Sequence, residues 1–246
     1  MIMLFGLVGK HLKHSKSAEL FTDYFQNKHQ YYLFELNHIQ LLPQLFEQFP
    51  DLKGFNVTIP FKESIIPFLN EIDYEAEKIG AVNTIKVLKK NEQSFYLKGY
   101  NTDYLGFLYA YKEVLQLEHR LAIILGTGGA SRAVAYALEQ LKIPFIYVSR
   151  TKTNNKTLIY QQLSKMTLRA SLIINTTPVG MFPNVDDKLF LPNSLFINKS
   201  VAIDLIYNPS MTTFMKMAIE NGCKAYNGYD MLKYQAIESW KIWELL

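Results

Sequence analysis

The chain has 246 residues, 49% apolar and 20% charged with 16 Tyr and 16 Phe, which excludes a disordered or low-complexity chain and suffices for a large core without covalent staples. A single cysteine, Cys223, excludes an internal disulfide framework and a cysteine zinc cluster, and no metal is expected. The net charge of +4 is mild and its Lys and Arg are spread singly, so no basic stripe points to nucleic acid.

The apolar start, Met1 to Gly9, runs at once into His11, Lys13, His14 and Lys16, the reverse of a signal peptide. No apolar run nears the roughly 20 residues that span a bilayer. A cytoplasmic globular protein is expected, with neither membrane nor nucleic-acid partners. At roughly 150 residues per domain the length allows one to two domains.

Short apolar runs alternate with amphipathic stretches. Leu4 to Val8 predicts a strand and Ser17 to Asn27 a helix. Tyr32 to Leu36 (strand), Leu41 to Phe49 (helix) and Gly54 to Ile59 (strand) follow. Asn83 to Leu88 and Ser94 to Gly99 predict a hairpin around the polar turn Lys89 to Glu92. Asp103 to Leu115 predicts one helix capped by Asn101 or Thr102. The charged stretch Gln116 to Arg120 is the best boundary by composition.

Leu121 to Leu125 is continuously apolar, as a strand buried on both faces should be. The turn Gly126-Thr127-Gly128-Gly129 follows, then a helix over Ala130 to Leu141 and a strand over Phe145 to Val148. Between Thr151 and Leu172 a single helix fits. Leu172 to Ile174 and Val201 to Ile203 predict two more buried strands. Pro209 suits the first position of a helix capped by Asn208 and closed by Asn221-Gly222. Met231 to Trp243 predicts a last helix after a turn at Gly228. The alternation predicts an α/β fold.

A Gly-x-Gly turn between a buried strand and a helix lets backbone N–H groups approach a pyrophosphate at the helix N-terminus. Ser131 stands at the third position of the general GxGxxG pattern, and a plain βα turn is the competing reading. After the second strand come Ser149-Arg150-Thr151-Lys152, without an acid for the ribose 2′-OH of NAD; Arg suits the 2′-phosphate of NADP. A solvated turn is the alternative.

Three polar segments stand where a core would not want them: His14 to Ser17, Asn56 to Lys62, and Asn101 to Asp103. Each has a plain reading: Ser17, Asn101 or Thr102 as helix caps, and Lys62 as a surface lysine. A Lys near a helix start opposes the macrodipole, which makes Lys62 an odd purely structural choice.

HSKS, FNVTIPFKE, GAVNT, NTD, GTGGASR, SRT, INTTPVGM, DLIYNP and NGYDMLKYQA occur here in that order, and in this the chain resembles the shikimate dehydrogenase family, from about Gly6 to Trp243. The resemblance implies two domains: an N-terminal α/β substrate domain, 1–103 plus 229–246, and a Rossmann-like parallel-sheet NADP-binding domain, 104–228. It implies NADPH-dependent, reversible reduction of 3-dehydroshikimate to shikimate, with quinate/shikimate enzymes of relaxed cofactor choice and a non-catalytic dinucleotide sensor as alternatives.

By motif, Ser15 and Ser17 should bind the substrate carboxylate, with Tyr207 at the same end. Thr58, Asn83, Asp103 and Gln235 should hold ring hydroxyls, with Lys62 among them. Gly126, Thr127, Gly128, Gly129 and Ala130 should cradle the pyrophosphate. Ser149, Arg150 and Thr151 should surround the adenosine phosphate, and Leu205 and Gly228 the nicotinamide. Asn175, Thr176 and Gly180 should line the cofactor loop. The chain departs from the family at Ser149 (usually Asn), at Ala18 (often Pro) and in the short stretch after Thr151. Lys62 and Asp103 form the one matched titratable pair of the polar segments. Lys62 is expected to be the general acid in reduction, with a water as the alternative proton donor.

Overall fold

The computed structural model describes all residues except 1, 14, 92–93, 116–120, 153–154, 164 and 167. Two compact units emerge: Met1–Asp103 with Gln235–Leu246, and Tyr104–Tyr234. The return to the first unit thus lies at Gln235 rather than at 229. The divisions fall at Asp103 and Gln235, while Gln116 to Arg120 lie outside the described residues.

The first unit contains β1 (Leu4–Gly9), α1 (Ser17–Phe25), β2 (Gln30–Glu35), α2 (Leu42–Gln48), β3 (Leu52–Val57), β4 (Glu71–Ile72), α3 (Tyr74–Ile79), β5 (Thr84–Asn91) and β6 (Ser94–Tyr100). Its sheet has the order β2-β1-β3-β5-β6-β4. β1 pairs in parallel with β2 and β3, and β5 runs antiparallel to β3 and β6. The hairpin is therefore present, with its turn residues Glu92 and Gln93 outside the described residues. Alternation along β3 buries Phe55 and Val57 in a core with Val8, Ile65 and Ile85.

A second core joins Phe5, Phe21 and Phe25 to Trp240 of the C-terminal helix and to Trp243 just beyond its end. Phe21 and Phe25 are four residues apart and so share one face of α1. The Trp243 ring stacks on Phe5 at 4.7 Å, and its Nε1 donates to the Ile85 carbonyl at 2.9 Å. Gly54 is required here, because a Cβ would run into the Trp243 indole.

The second unit holds α4 (Asp103–Ala110), α5 (Lys112–Leu115), β7 (Ala122–Leu125), α6 (Gly129–Gln140), β8 (Phe145–Ser149), β9 (Thr157–Ile159), α7 (Tyr160–Leu163), β10 (Ala170–Asn175), β11 (Phe196–Asp204), α8 (Thr213–Glu220) and β12 (Lys224–Tyr226). α9 (Tyr229–Ile242) starts there and ends among the residues of the first unit. The sheet order is β12-β11-β10-β7-β8-β9, and every pairing is parallel. Counted along the chain, this is the doubly wound order of the Rossmann fold, with its switch point between β7 and β10. β7 is wholly buried, as its unbroken apolar run predicts.

Several local expectations are corrected. The helix expected over Asp103 to Leu115 breaks at Tyr111 into α4 and α5. The stretch after Thr151 holds a strand, β9, as well as the one-turn helix α7. Pro209 does not open a helix. α8 begins at Thr213, where the Thr212 hydroxyl accepts from the Met215 N–H at 3.2 Å and supplies a better cap. Its end is as expected, with Gly222 at φ 82. β4 and β12, of two and three residues, were not anticipated. Among the described residues no helix is long and apolar enough to cross a membrane, and no group of three or more His, Cys, Asp or Glu is placed to hold a metal ion.

Candidate active site

Gly80 sits at φ 68 and ends α3, its N–H donating to the Ala76 and Glu77 carbonyls. The chain then turns inward, and Ala81 and Val82 are fully buried. The Val82 N–H donates to the Lys62 carbonyl at 2.8 Å, and the Ala81 carbonyl accepts from Asn101 Nδ2 at 2.8 Å. One short buried segment thus fixes the backbone at Lys62 and the side chain at Asn101.

Asn83 comes next. Its N–H donates to the Tyr100 carbonyl at 3.0 Å, and its carbonyl accepts from the Val57 N–H at 2.8 Å. Its side-chain Nδ2 donates to Asp103 Oδ1 at 2.9 Å and to Gln235 Oε1 at 3.3 Å. The other Asp103 oxygen, Oδ2, accepts from Lys62 Nζ at 2.6 Å. The two charged side chains are 16% and 7% exposed, so the ammonium keeps an opening to solvent while the carboxylate is enclosed. Removing either partner of so enclosed a pair leaves an uncompensated charge. Lys62 is thus no solvated surface lysine, and the expected group Lys62, Asn83, Asp103 and Gln235 is brought together.

The capping readings resolve differently. α1 starts at Ser17 itself, with Lys16 at the cap position and no side-chain cap. Ser17 instead donates its N–H to Ser15 Oγ at 3.3 Å, and the Ser15 hydroxyl donates to Ser17 Oγ at 3.2 Å. The two hydroxyls therefore sit together at the β1–α1 connection. His14 lies outside the described residues. Asn101 Oδ1 accepts from the Asp103 N–H at 3.0 Å and closes the start of α4, whereas Thr102 turns to Asn83. Thr58 is held by its backbone, its N–H donating to the Val8 carbonyl and its carbonyl accepting from Phe61. The residues that sequence reasoning missed are Thr84 and Ser239, both fully buried beside Asn83. Thr84 follows Asn83 in the chain, but nothing local marks Ser239.

In the second unit, the turn after β7 is shaped by close approach. Gly126 has φ 108, and a Cβ there would meet Thr176 Oγ1 at 2.8 Å. Thr176 itself donates to the Leu125 carbonyl at 2.6 Å, so the loops after β7 and β10 are tied together at the switch point. A Cβ on Gly128 would meet nothing within 4 Å. There is thus open space beside Gly128 at the start of α6, whose first N–H groups, at Gly129 and Ala130, have no acceptor within the helix, a combination that fits a pyrophosphate. Ser131 is buried, and its hydroxyl donates to the Gly128 carbonyl at 2.5 Å, stiffening the turn where the general pattern has glycine.

After β8 the Ser149 hydroxyl donates to the Thr151 carbonyl and accepts from the Thr151 N–H. This local turn leaves Arg150 and Thr151 exposed. Gly228 packs so closely on the Leu205 carbonyl that a Cβ has no room, and its N–H donates to the Ile206 carbonyl at 3.0 Å. Leu205 and Gly228 are thus neighbours. Tyr207 lies in this unit, and Gly180 has φ 89 in the loop beyond Thr177.

Asp204, at the end of β11, is fully buried. It accepts from Asn175 Nδ2 at 3.0 Å, from the Thr212 hydroxyl at 2.6 Å and from the Ile206 N–H at 3.1 Å. Burial pushes its carboxyl up to about 6, against those three hydrogen bonds.

The family description "Shikimate dehydrogenase substrate binding domain" matches residues 7–85. The shikimate dehydrogenase (NADP(+)) of Caldicellulosiruptor saccharolyticus is 36% identical over 257 residues, covering 96% of this chain and 90% of that one. Among solved structures, shikimate dehydrogenase 1 from Peptoclostridium difficile superimposes with a TM-score of 0.87 at 37% identity, over 99% of this chain and 92% of that one. The shikimate 5-dehydrogenase of Thermus thermophilus, solved in complex with NADP(H) and shikimate, gives 0.83 at 30% identity, over 100% of this chain and 94% of that one. With sequence and fold alike shared over nearly the full length, this chain belongs to the shikimate dehydrogenase family.

Proposed function

We propose that the protein is a cytoplasmic NADP-dependent shikimate dehydrogenase, which reversibly reduces 3-dehydroshikimate to shikimate in aromatic amino-acid biosynthesis. The observation that carries this reading is the Lys62–Asp103 pair at 2.6 Å, in one hydrogen-bonded group with Asn83 and Gln235. A proton carrier stands among amide and carboxylate groups suited to alcohol hydroxyls.

Reduction of a ketone needs a hydride and a proton, and NADPH supplies the hydride when bound. Lys62 Nζ delivers the proton to the carbonyl oxygen, and in the reverse direction removes it from the alcohol. Asp103 keeps the ammonium in place and accepts from a ring hydroxyl. Asn83, Gln235 and Thr58 bind the remaining hydroxyl positions. Ser15 and Ser17 take the ring carboxylate, away from the reacting carbon, and family likeness adds Tyr207 at that end. Gly126, Thr127, Gly128, Gly129 and Ala130 would hold the pyrophosphate of NADP, and Ser149, Arg150 and Thr151 its 2′-phosphate. Leu205 and Gly228 would flank the nicotinamide.

Steady-state rates with shikimate and with quinate, each with NADP+ and NAD+, test the reading. Shikimate with NADP+ should give the highest kcat/KM. No turnover of shikimate with either cofactor overturns the proposal, and equal use of quinate moves the protein to the quinate/shikimate class.

A further inference from the structure

Behind Asn83 lie three hydroxyls from three separate parts of the chain. Thr84 Oγ1 is 2.8 Å from Ser239 Oγ and 3.2 Å from Thr102 Oγ1, and Thr102 Oγ1 is 3.2 Å from Ser239 Oγ. All three are at most 1% exposed. Valine or alanine would fill such places without the need to pair hydroxyls inside a core. Asn56 Nδ2 adds donors to the group, reaching Ser239 Oγ at 2.9 Å and Thr84 Oγ1 at 3.1 Å. The Asn56 amide is itself oriented, because its Oδ1 accepts from the Tyr31 hydroxyl at 2.9 Å.

Asn56 Nδ2 can only donate, here into Thr84 and Ser239. Each hydroxyl has one proton: Ser239 shares its own between the Gln235 carbonyl at 2.9 Å, one helical turn back, and Thr84, and Thr84 shares its own between Asn83 Oδ1 at 3.1 Å and Ser239. Asn83 Oδ1 also receives the Thr102 N–H at 2.6 Å. With its oxygen held by the Thr102 N–H and the Thr84 hydroxyl, the Asn83 amide turns Nδ2 toward Asp103 and Gln235, where it also reaches Thr102 Oγ1 at 3.0 Å. Turned over, it would set oxygen against carboxylate and N–H against N–H.

We propose that Thr84, Ser239 and Asn56 are positioning residues, which fix the amide of Asn83 from behind and thereby place Asp103 and Gln235 for the substrate's ring hydroxyls. This rests on the dehydrogenase reading above. Ser239 has a second part in it: its tie to Gln235 and to Thr84 sets the register of α9, so that Gln235 is presented to Asn83.

The test is Thr84→Val, which keeps the shape and removes the hydroxyl, beside Thr84→Ser, which keeps the hydroxyl. Thr84→Val should lose about tenfold in kcat/KM for shikimate, the upper end for one buried hydrogen bond, with KM for NADP+ within about twofold of wild type. Thr84→Ser should restore most of the loss. Ser239→Ala should show the same split between shikimate and NADP+, and it serves as the test if Thr84→Val does not fold. Wild-type kcat/KM for shikimate in the soluble variants overturns the inference alone. So does a Thr84→Ser variant as impaired as Thr84→Val, or an equal loss for both ligands. A wild type inert toward shikimate overturns the functional reading and the inference with it.

Discussion

In the first unit Lys62, Asn83, Asp103 and Gln235 are held by side chains bonded to side chains, whereas around Gly126 and Gly128 in the second unit the path of the backbone sets the shape. Asn83, Asp103 and Gln235 depend on amide, carboxylate and hydroxyl partners that are nearly all buried. Around Gly126 and Gly128 the shape comes from positive φ, missing Cβ atoms and helix-start N–H groups, while Arg150 stands exposed. A side-chain lattice discriminates geometry finely and fails when one member is changed. A backbone cradle holds what all dinucleotides share, and leaves the choice between them to a few exposed groups. Chemistry and substrate shape should therefore fail steeply, and cofactor choice should shift gradually.

The largest effect should come from Lys62→Ala. It should lower kcat by roughly 10²–10⁴-fold, the usual range for a general acid–base, and raise KM for shikimate far less. Both constants measured across pH decide it, and a near-normal kcat would remove Lys62 from the chemistry.

Asp204 offers a test inside the second unit, where a buried side-chain cluster joins the loops after β10 and β11. Its folded carboxyl is raised from 3.8 to about 6. The folded state therefore holds the extra proton between these values, so this contribution is full below pH 4 and is lost as pH rises through about 6. The size is roughly 3 kcal/mol at about 1.4 kcal/mol per unit. Urea unfolding from pH 4 to 8 should show Asp204→Asn gaining on wild type by that amount as pH rises. Parallel curves would show that the carboxyl does not titrate there.

Ser15→Ala and Ser17→Ala should each weaken shikimate binding by roughly 1.5–3 kcal/mol, as for hydrogen bonds to a charged group, with little change in kcat. Calorimetry reads this directly. Unchanged affinity would take the pair out of the site. The smallest effect is at Arg150. Arg150→Leu should raise KM for NADP+ several-fold, leave that for NAD+ nearly unchanged, and matter less as salt rises. Equal losses for both cofactors would show that Arg150 supports the turn rather than reading the phosphate.

What was legible in the sequence was local. The apolar run of β7, the glycines after it and the alternation of β3 carry their structure within a few residues. Lys62 and Asp103 were legible as a pair only because motifs named them together. β4, β9 and β12 were not legible, since strands of two or three residues owe their form to a neighbouring strand rather than to propensity. Pro209 misled because it fits a first helical turn in isolation, whereas Thr212 has the hydroxyl that the Met215 N–H needs. Ser239 was invisible because its partners are fixed by folding across 155 and 183 residues.

The first unit is completed by residues at the far end of the chain: Trp240 and Trp243 fill its aromatic core, and Trp243 covers Gly54. On the ribosome, then, the unit that begins first must finish last. Until Trp243 has emerged, Phe5, Phe21 and the floor of β3 lack their cover, while every strand of the second sheet has already been made. Nascent chains exposing such surface are the ones that aggregate or recruit chaperones. Closing so long a loop costs entropy that local contacts do not repay, which favours slow completion of the first unit. Synthesis therefore completes the strands of the second sheet just before α9, and the Asn83–Gln235 contact forms only once the last turns of α9 dock.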